Sequence, residues 1–384
     1  MLKITLRSIL MLLMTLIISS RITLAQTAKT ETDIDAIIKK FDAVGLAVAV
    51  VKDNKLIYTH SFGLKDIGQN VPLNNTDIFR IASISKSFSA TGIMQLAEAK
   101  KLSLDDDFSK LIGFKIRNPK YPETVITLRM VMSHTSSIND SQGYFNLDVI
   151  NPDKSTNWAK CYNDYEPGKG YQYCNLNYNM VGTVIEKISG ERFDHYIKHH
   201  IIEPLGLYAG YEVSMLDSAR FVTLYEYNRN TKTFVPAPLA YNPRRNEIEN
   251  YVMGSNTPIF SPTGGMKISA TDLARYMMMH MNYGKAPKGK RIISKESAKT
   301  MQTQIADKDG YGLAIRTVTD LIPGTIMKGH TGSAYGLYSA MFFQPEQKFG
   351  FVVITNGTSS NPNIDITPIL RETINSLYDN LVKK

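Results

Sequence analysis

A serine and a lysine three residues apart are the first residues in this chain that could do chemistry. Ser83 and Lys86 would share one face of a helix, where the lysine amine could reach the serine hydroxyl. Lys86 is the only charged residue between Arg80 and Glu98, which predicts a buried helix beginning at Ser83, a favoured N-cap residue type. Because burial disfavours an ammonium ion, Lys86 is a candidate general base and Ser83 a candidate nucleophile. The alternative is a solvated surface pair, since Ser-x-x-Lys alone is a weak pattern.

A turn-rich loop over residues 167–175 could carry two further polar side chains into the same site. Tyr173 and Asn175 precede an apolar helix predicted over residues 176–188. A tyrosine beside an ammonium ion gives up its proton more readily, and an asparagine amide can orient a lysine or hold a substrate carbonyl. The same spacing occurs at Tyr144 and Asn146, so spacing alone is ambiguous. The Pro-Gly turn and the helix that follows favour the later pair.

A run of small residues after a predicted strand offers a third element. His330, Thr331, Gly332 and Ser333 follow a strand predicted over residues 324–328. Glycine and small residues let a substrate lie against a strand edge and receive backbone N–H hydrogen bonds. A Lys-x-Gly sequence at residues 348–350 competes with this run, but its bulky phenylalanine fits a packed strand better than a cleft wall.

The composition is that of a large globular protein. The chain has 384 residues, of which 43% are hydrophobic and 21% are charged, enough for a sizeable core. The net charge of +9 comes from basic residues that are spread along the chain rather than clustered with aromatic ones. Nucleic-acid binding is therefore disfavoured. We expect a monomer that takes a small-molecule or peptide substrate.

The first 25 residues have the pattern of a signal peptide. Lys3 and Arg7 precede an apolar run over residues 9–18, and the segment ends at Ala25. We expect cleavage after Ala25 and export to the periplasm or the medium, with no stable membrane span afterwards, because a spanning helix needs about 20 residues. An uncleaved anchor is the alternative. An oxidising compartment would allow Cys161 and Cys174 to pair, and the sequence leaves that open.

Strand patterns lie at the two ends of the chain and helical patterns lie between them. A hairpin is predicted from residues 45–51 and 55–62, and four strands from residues 312–318, 324–328, 338–343 and 349–355. Helices are predicted over residues 32–41, from 104, from 126 behind a threonine cap, over 176–188 and 271–281, and from about Ile364. The segment 221–262 contains five prolines and predicts a long loop that could form a wall of a cleft.

These patterns predict an α+β fold. The N-terminal hairpin is too small to stand alone, so it should join the C-terminal strands in one antiparallel sheet flanked by helices. The α/β sandwich would then comprise about residues 33–80 and 263–384, with a mostly helical part, about residues 81–262, inserted between. Together they make one domain over residues 26–384.

Other kinds of catalytic site find little support. His195 and His199 are four residues apart, but no His-Glu-x-x-His pattern surrounds them, so solvated helix positions are the better interpretation and no metal is expected. The sequence contains no phosphate-binding loop, dinucleotide fingerprint or Gly-x-Ser-x-Gly elbow. We therefore expect a protein without a cofactor.

Three motifs, in chain order, resemble those of the penicillin-recognising serine hydrolases. They are Ser-Ile-Ser-Lys at residues 83–86, Tyr-Cys-Asn at 173–175 and His-Thr-Gly at 330–332. The nearest group holds class C β-lactamases, some DD-peptidases, and related esterases and D-amino-acid amidases. The likeness covers about residues 33–380. It also includes the segments 128–137, 203–207, 262–266 and 344–347.

The resemblance implies a β-lactamase/transpeptidase-like fold and an acyl-enzyme mechanism. Ser83 would be the nucleophile, and Lys86 and Tyr173 would share the proton transfers. The backbone N–H groups of Ser83 and Ser333 would stabilise the tetrahedral intermediate. The remaining residues of the motifs would line the substrate site: Asn175, His330, Thr331 and Gly332.

Two positions depart from the family pattern. The Lys-Thr-Gly of true β-lactamases is His-Thr-Gly here, and the usual glycine after His-Thr-Ser is Ser137. In those β-lactamases the lysine helps to hold the carboxylate of the antibiotic. Histidine is largely uncharged at neutral pH, and a neighbouring lysine cation disfavours its charged form further. The resemblance therefore predicts slow β-lactam hydrolysis, whereas the change at Ser137 should only alter a loop.

The leading hypothesis is an exported serine acyl hydrolase. Its expected substrates are small esters or peptides that end in D-amino acids, including fragments of peptidoglycan. For peptides, Thr331 and basic residues not yet identified would hold the terminal carboxylate. The alternatives are a class C-like β-lactamase and, from another class of function, a catalytically silent homologue that binds peptidoglycan or a partner protein.

Overall fold

A seven-stranded antiparallel sheet takes its strands from both ends of the chain. The computed structural model describes residues 26–287, 289–361 and 366–383. The strands are β1 (Gly45–Lys52), β2 (Lys55–Asp66), β3 (Val71–Pro72), β9 (Arg316–Ile322), β10 (Thr325–Ala334), β11 (Leu337–Gln344) and β12 (Phe349–Thr355). Their order across the sheet is β3-β2-β1-β12-β11-β10-β9. Strand β1 from the N-terminal part of the chain therefore pairs with β12 from the C-terminal part near the centre of the sheet. The predicted α+β fold, with one sheet built from both chain ends, is confirmed.

Helices surround the sheet and fill the segment between its two halves. They are α1 (26–40), α2 (Ser85–Glu98), α3 (Phe108–Ile112), α4 (Leu128–Met132), α5 (Asn175–Ser189), α6 (Phe193–Ile197), α7 (Glu203–Leu205), α8 (Arg245–Glu249), α9 (Ala270–Met281), α10 (Lys295–Gln302) and α11 (Pro368–Leu377). The chain also forms short 3₁₀ turns at Ala82–Ile84, Leu147–Val149, Trp158–Cys161, Val213–Met215, Ser218–Arg220, Pro238–Tyr241 and Lys308–Gly310, and π turns at Lys198–Ile202 and Tyr378–Val382.

Both faces of the sheet are covered, which explains why its central strands are apolar almost throughout. The even-numbered residues of β1 from Leu46 to Val50 pack in a cluster with side chains of α1 and α11. The odd-numbered residues from Ala47 to Val51 face the larger core, which contains α9 and α2. In that core α2 packs against α5, and this pair of helices supports the segment that carries Ser83 and Lys86.

Several predicted bounds need correction. The strand predicted over residues 312–318 begins only at Arg316 and runs on to Ile322. The segment 221–262 is not purely loop, since it contains the hairpin of β6 (Tyr225–Asn228) and β7 (Thr233–Pro236) as well as α8. A small sheet of β4 (Phe79–Arg80), β8 (Lys267–Ile268) and β5 (Ala209–Gly210) was also not predicted. Two-residue strands carry no period-2 pattern that a sequence could show.

Two predictions fall outside the described residues: the signal peptide over residues 1–25 and the start of the closing helix near Ile364. Over the described ranges, no helix is long and apolar enough to cross a membrane. Cys161 and Cys174 are both buried free thiols. Burial raises the pKa of Cys161 to about 11 and that of Cys174 well above its ordinary value, which keeps both thiols protonated.

Candidate active site

Ser83 lies on a strained turn between β4 and α2. It is the central residue of the 3₁₀ turn Ala82–Ile84, and α2 begins at Ser85. The residue before it, Ala82, has a φ of 51° in the left-handed region, a conformation that costs roughly 1–2 kcal/mol for a residue with a side chain. The prediction that Ser83 is the N-cap of the helix is wrong, because Ile84 holds that position without a side-chain hydrogen bond. The turn instead leaves the Ser83 side chain facing the cleft.

Lys86 lies in the first turn of α2 and is completely buried. Its Nζ donates to Ser83 Oγ at 3.1 Å, to Asn175 Oδ1 at 2.9 Å and to the Thr263 carbonyl at 3.1 Å. All three donors of an ammonium ion therefore have an acceptor. Burial lowers the pKa of Lys86 to about 7, although the negative charge of Asp140 opposes the shift. The predicted reach from amine to hydroxyl and the predicted burial are both found.

Tyr173 comes to Lys86 from the loop before α5, and Asn175 is the first residue of that helix. The Nζ of Lys86 lies 4.7 Å from the centroid of the Tyr173 ring, and Asn175 Oδ1 also accepts a hydrogen bond from the Thr263 hydroxyl at 2.9 Å. Asp140 holds this loop in place. It accepts from Asn175 N at 2.8 Å, from Asn175 Nδ2 at 3.0 Å and from Leu176 N at 2.9 Å. A carboxylate at the N-terminus of α5 also suits the helix dipole.

His330, Thr331, Gly332 and Ser333 lie inside β10, not after it as predicted. The strand pairs with β9 only as far as Gly329, whereas its pairing with β11 continues to Ala334. The edge beyond Gly329 consequently borders the cleft. A Cβ atom placed on Gly332 would lie 2.3 Å from the Ile81 carbonyl oxygen and 3.1 Å from Ser83 N. Only glycine fits there, and this close approach brings β10 against the backbone of the turn that carries Ser83.

His330 is buried and both of its ring nitrogens have partners. Nε2 lies 3.0 Å from the Tyr311 hydroxyl, and Nδ1 contacts the Thr331 carbonyl. Burial raises the pKa of Tyr311 well above 10, so its hydroxyl keeps a proton that it can donate. Because a carbonyl only accepts hydrogen bonds, Nδ1–H donates to Thr331, and Nε2 is engaged by the Tyr311 hydroxyl. A ring held in this way is poorly placed to bind a substrate carboxylate.

These residues surround a cleft of about 780 Å³, large enough for a small organic substrate. Seven of the eight predicted site residues line it: Ser83, Tyr173, Asn175, His330, Thr331, Gly332 and Ser333. The eighth, Lys86, lies beneath the floor and reaches the cleft through Ser83. Glu226 and Ser261 also line the cleft, so the segment 221–262 contributes to its wall as predicted.

The competing patterns occupy other positions. Tyr144 and Phe145 line the rim of the same cleft, but Asn146 turns away and caps a 3₁₀ turn through Asp148 N at 2.8 Å. Lys348 follows β11 in a tight turn with a φ of 58°, and Phe349 is buried in the core. The preference for the later tyrosine-asparagine pair and for the His-Thr-Gly run is consistent with these placements.

Three residues that the sequence reasoning did not single out take part in the site. Asp140 anchors the Tyr173 loop, and Thr263 contacts both Lys86 and Asn175. His134 is fully buried with a φ of 60°, and its Nδ1 accepts from Cys174 N at 3.2 Å. Burial and the nearby Lys86 lower the pKa of His134 well below 6.5. His134 and Thr263 lie in segments that carried the family resemblance, which was the available signal. Asp140 had none.

Two further sequence features have local explanations. Ser137 stands where the family has glycine, and its φ of 64° lies in the left-handed region that favours glycine. Its hydroxyl accepts a hydrogen bond from Asn118 at 3.0 Å. His195 and His199 are each about half exposed. His195 approaches Asp194 and Glu212, but the guanidinium of Arg192 already lies between these three groups and contacts each of them.

The comparisons with known proteins agree with this geometry. A family model described as Beta-lactamase matches residues 34–373. Penicillin-binding protein 4 of Amycolatopsis lactamdurans is 27% identical over 340 residues, which cover 84% of this chain and 83% of that protein.

Two solved structures show the same fold. The octameric penicillin-binding protein homologue from Pyrococcus abyssi superposes with a TM-score of 0.72 at 26% identity, covering 91% of this chain and 78% of that one. The D-amino acid amidase from Ochrobactrum anthropi SV3, complexed with L-phenylalanine amide, gives a TM-score of 0.73 over 93% of this chain and 98% of that one, at 17% identity. With the family model spanning most of the sequence, the chain belongs to the Beta-lactamase family of serine hydrolases.

Proposed function

We propose that the protein hydrolyses esters or amides through an acyl-enzyme formed on Ser83. The observation that carries the proposal is the 3.1 Å contact between Ser83 Oγ and the buried Nζ of Lys86. Because burial lowers the pKa of Lys86 to about 7, a large fraction of the amine is neutral near neutral pH and can accept a proton. Serine needs such a base to become a nucleophile.

In the acylation step, Ser83 Oγ attacks the substrate carbonyl as its proton passes to Lys86 Nζ. The carbonyl oxygen becomes an oxyanion, which receives hydrogen bonds from the backbone N–H groups of Ser83 and Ser333. The intermediate then collapses, and the bond to the leaving group breaks. The leaving alcohol or amine takes a proton from Lys86. Tyr173, which lies beside the ammonium group, shares in this proton transfer.

Deacylation reverses these roles. A water molecule gives a proton to Lys86 or Tyr173 and attacks the acyl-enzyme carbonyl, and Ser83 Oγ leaves with a proton from the same pair. Asn175 and the Thr263 carbonyl keep Lys86 Nζ in position during both steps, since each accepts a hydrogen bond from it.

The substrates we propose are small esters and peptides that end in D-amino acids. The reason is His330, whose two ring nitrogens are already engaged by Tyr311 and Thr331, because it replaces a lysine cation that β-lactamases use to hold a carboxylate. The names of two proteins similar to this chain, a penicillin-binding protein and a D-amino acid amidase, point in the same direction. A class C-like β-lactamase is the second candidate, favoured by the family itself.

We also propose that the protein is exported after cleavage behind Ala25 and acts as a monomer, with peptidoglycan fragments among its substrates. The pattern of residues 1–25 supports export. N-terminal sequencing of protein from a cell-envelope fraction would test cleavage, and light scattering would test the oligomeric state. An N-terminus at Met1 or a larger assembly would contradict these two points.

Covalent labelling tests the catalytic proposal. The protein over residues 26–384 is incubated with a fluorescent phosphonate and, separately, with a fluorescent penicillin, and the adduct is located by mass spectrometry. We expect an adduct on Ser83, no adduct in Ser83→Ala, and no turnover by that variant. A well-folded protein that carries no label on Ser83 would favour the catalytically silent homologue instead.

Steady-state kinetics on three substrates test specificity. We expect values of kcat/KM for a short-chain p-nitrophenyl ester or a D-Ala-D-Ala peptide to exceed that for a chromogenic cephalosporin. A cephalosporin value far above both others would overturn the argument from His330 and establish the second candidate.

A further inference from the structure

A smaller cavity of about 220 Å³ opens beside the cleft. It shares four lining residues with the cleft, Arg80, Phe145, Ser261 and Tyr335, so it forms a side chamber of the same site. Its volume is that of roughly seven water molecules. Apolar side chains such as Leu239, Ile259 and Phe260 form part of the wall.

Three basic side chains line this side chamber: Arg80, Arg244 and Lys267. Arg80 in β4 pairs directly with Lys267 in β8. Two like charges directly opposite each other in a ladder destabilise the pair. Because placing Arg80 and Lys267 together beside a third basic side chain does not stabilise the fold, the arrangement is better explained by the binding of an anion.

Among the described residues, neither Arg80 nor Lys267 forms an ion pair with a carboxylate, and only the more distant Asp194 favours the charged form of Lys267. Lys267 is 4% exposed, and within the described part of the chain its Nζ donates only to the Tyr211 carbonyl. Arg80 donates to the carbonyls of Gly264 at 3.0 Å and Ala240 at 3.3 Å, and it lies over the Tyr335 ring. Buried cations are normally paired with an anion, because an unpaired one is costly to desolvate.

The nearby acids are already engaged elsewhere. Glu212, which lines the side chamber, pairs with Arg192 at 2.5 Å, and Asp194 pairs with the same guanidinium at 2.7 Å. Arg244 pairs on its outer side with Glu247 at 2.9 Å. The side chamber therefore has an excess of positive charge at one end and apolar walls beside it.

We propose that the side chamber binds a carboxylate carried by the substrate on a short aliphatic stem. The substrates would be esters or amides of dicarboxylic acids or of acidic amino acids, with the methylene groups against the apolar wall and the carboxylate at Arg80, Arg244 and Lys267. This inference rests on the proposed function, since it names a substrate class for the Ser83 site. Arg80, Arg244 and Lys267 would thus be basic residues that hold a substrate carboxylate, a role for which His330 is poorly placed.

Proton uptake should accompany binding. Burial and the charges of Arg80 and Arg244 lower the pKa of Lys267 well below 10.5, although the carboxylate of Asp194 opposes the shift. A carboxylate beside Nζ would favour the ammonium form again.

Matched pairs of esters test the proposal. The mono-p-nitrophenyl esters of succinate, glutarate and adipate are compared with uncharged p-nitrophenyl esters of the same chain lengths. We expect kcat/KM for at least one charged ester to exceed that of its uncharged match by about tenfold or more. We expect Lys267→Met and Arg244→Gln each to bring that ratio down severalfold, whereas the exposed neighbour variant Arg245→Gln keeps it.

A binding measurement separates this inference from the proposed function. Glutarate is titrated calorimetrically into the folded Ser83→Ala variant, with and without Lys267→Met, in two buffers of different ionisation enthalpy. Saturable binding that is lost in Lys267→Met supports the side chamber even if no ester is hydrolysed. Two results would overturn the proposal. The first is that glutarate does not bind and no charged ester is preferred over its uncharged match. The second is that the preference for a charged ester is unchanged in both Lys267→Met and Arg244→Gln.

Discussion

The chain buries two lysines beside one cleft, and their surroundings differ. Lys86 donates to three oxygen atoms that lie around it, and the carboxylate of Asp140 favours its charged form. Lys267 donates to one carbonyl, and the unfavourable charges of Arg80 and Arg244 act on it together with the favourable charge of Asp194. Both amines have lowered pKa values because burial disfavours their charged forms.

The difference separates a complete site from an incomplete one. Around Lys86 every donor of the amine has its acceptor inside the protein, which suits a base that must return to the same position after each proton transfer. Around Lys267 the hydrogen bonding and the charge are both unsatisfied, which suits a group that acquires its partner when a ligand arrives. We propose that the first arrangement serves the chemistry and that the second serves the selection of substrates.

The largest effect is expected from removing the first amine. Lys86→Met keeps a chain of similar length in α2 but removes the base, so kcat/KM for any ester substrate should fall by at least about 10³-fold, as activated nucleophile units fail together. Initial rates with a p-nitrophenyl ester would measure it. Lys39→Met, at an exposed position, is the control. If kcat/KM fell less than tenfold in Lys86→Met, Lys86 would not be the catalytic base, and its proposed difference in role from Lys267 would be wrong.

A smaller loss is expected when the carboxylate near Lys86 is removed. Asp140→Ala leaves the N–H groups of Asn175 and Leu176 without their acceptor, which should lower the free energy of unfolding by about 2–3 kcal/mol. Because Asp140 favours the charged form of Lys86, its loss should also move the pKa of the base downward. Urea unfolding and rates between pH 5 and 9 would measure both effects. Asp148→Ala, at a surface ion pair, should show neither.

The smallest effect is a gain in stability at the second amine. Lys267→Met replaces a buried amine, which has one hydrogen bond and a disfavoured charge, with an apolar side chain of similar length, so the free energy of unfolding should rise by about 1 kcal/mol. Urea unfolding at pH 7 would measure it against Lys39→Met. A loss of more than about 2 kcal/mol would mean that Lys267 supports the fold in the absence of ligand, contrary to the comparison.

The central parts of the fold and site follow from the sequence because their patterns are local. The apolar runs of β1 and β12, the uncharged helix around Lys86 and the threonine cap of α4 are each visible within about ten residues. The same holds for the loop that brings Tyr173 to Ser83 and for the run of small residues around Gly332 in β10. Spacing within each motif was ambiguous by itself, and the family resemblance of the three motifs in chain order predicted which residues meet.

The remaining features depend on contacts between distant segments, which a single sequence does not display. Asp140 reaches Asn175 across 35 positions, and Thr263 reaches Lys86 across 177. The pairing of Arg80 with Lys267 arises from two-residue strands that lie 187 positions apart. Ser83 was misassigned as an N-cap because the left-handed turn at Ala82 is imposed by its neighbours rather than by its own type.

The most direct test of the central claim is the pH dependence of acylation at Ser83. The rate of phosphonate labelling is measured from pH 5 to 9 in the wild type and in Lys86→Met. In the proposed mechanism the neutral amine is the active base, and burial lowers the pKa of Lys86 to about 7. The labelling rate of the wild type should therefore rise about tenfold per pH unit at acid pH and level off above about pH 7. The labelling rate of Lys86→Met should not show this rise. A wild-type rate that does not change between pH 5 and 8 would contradict the assignment of Lys86 as the base that activates Ser83.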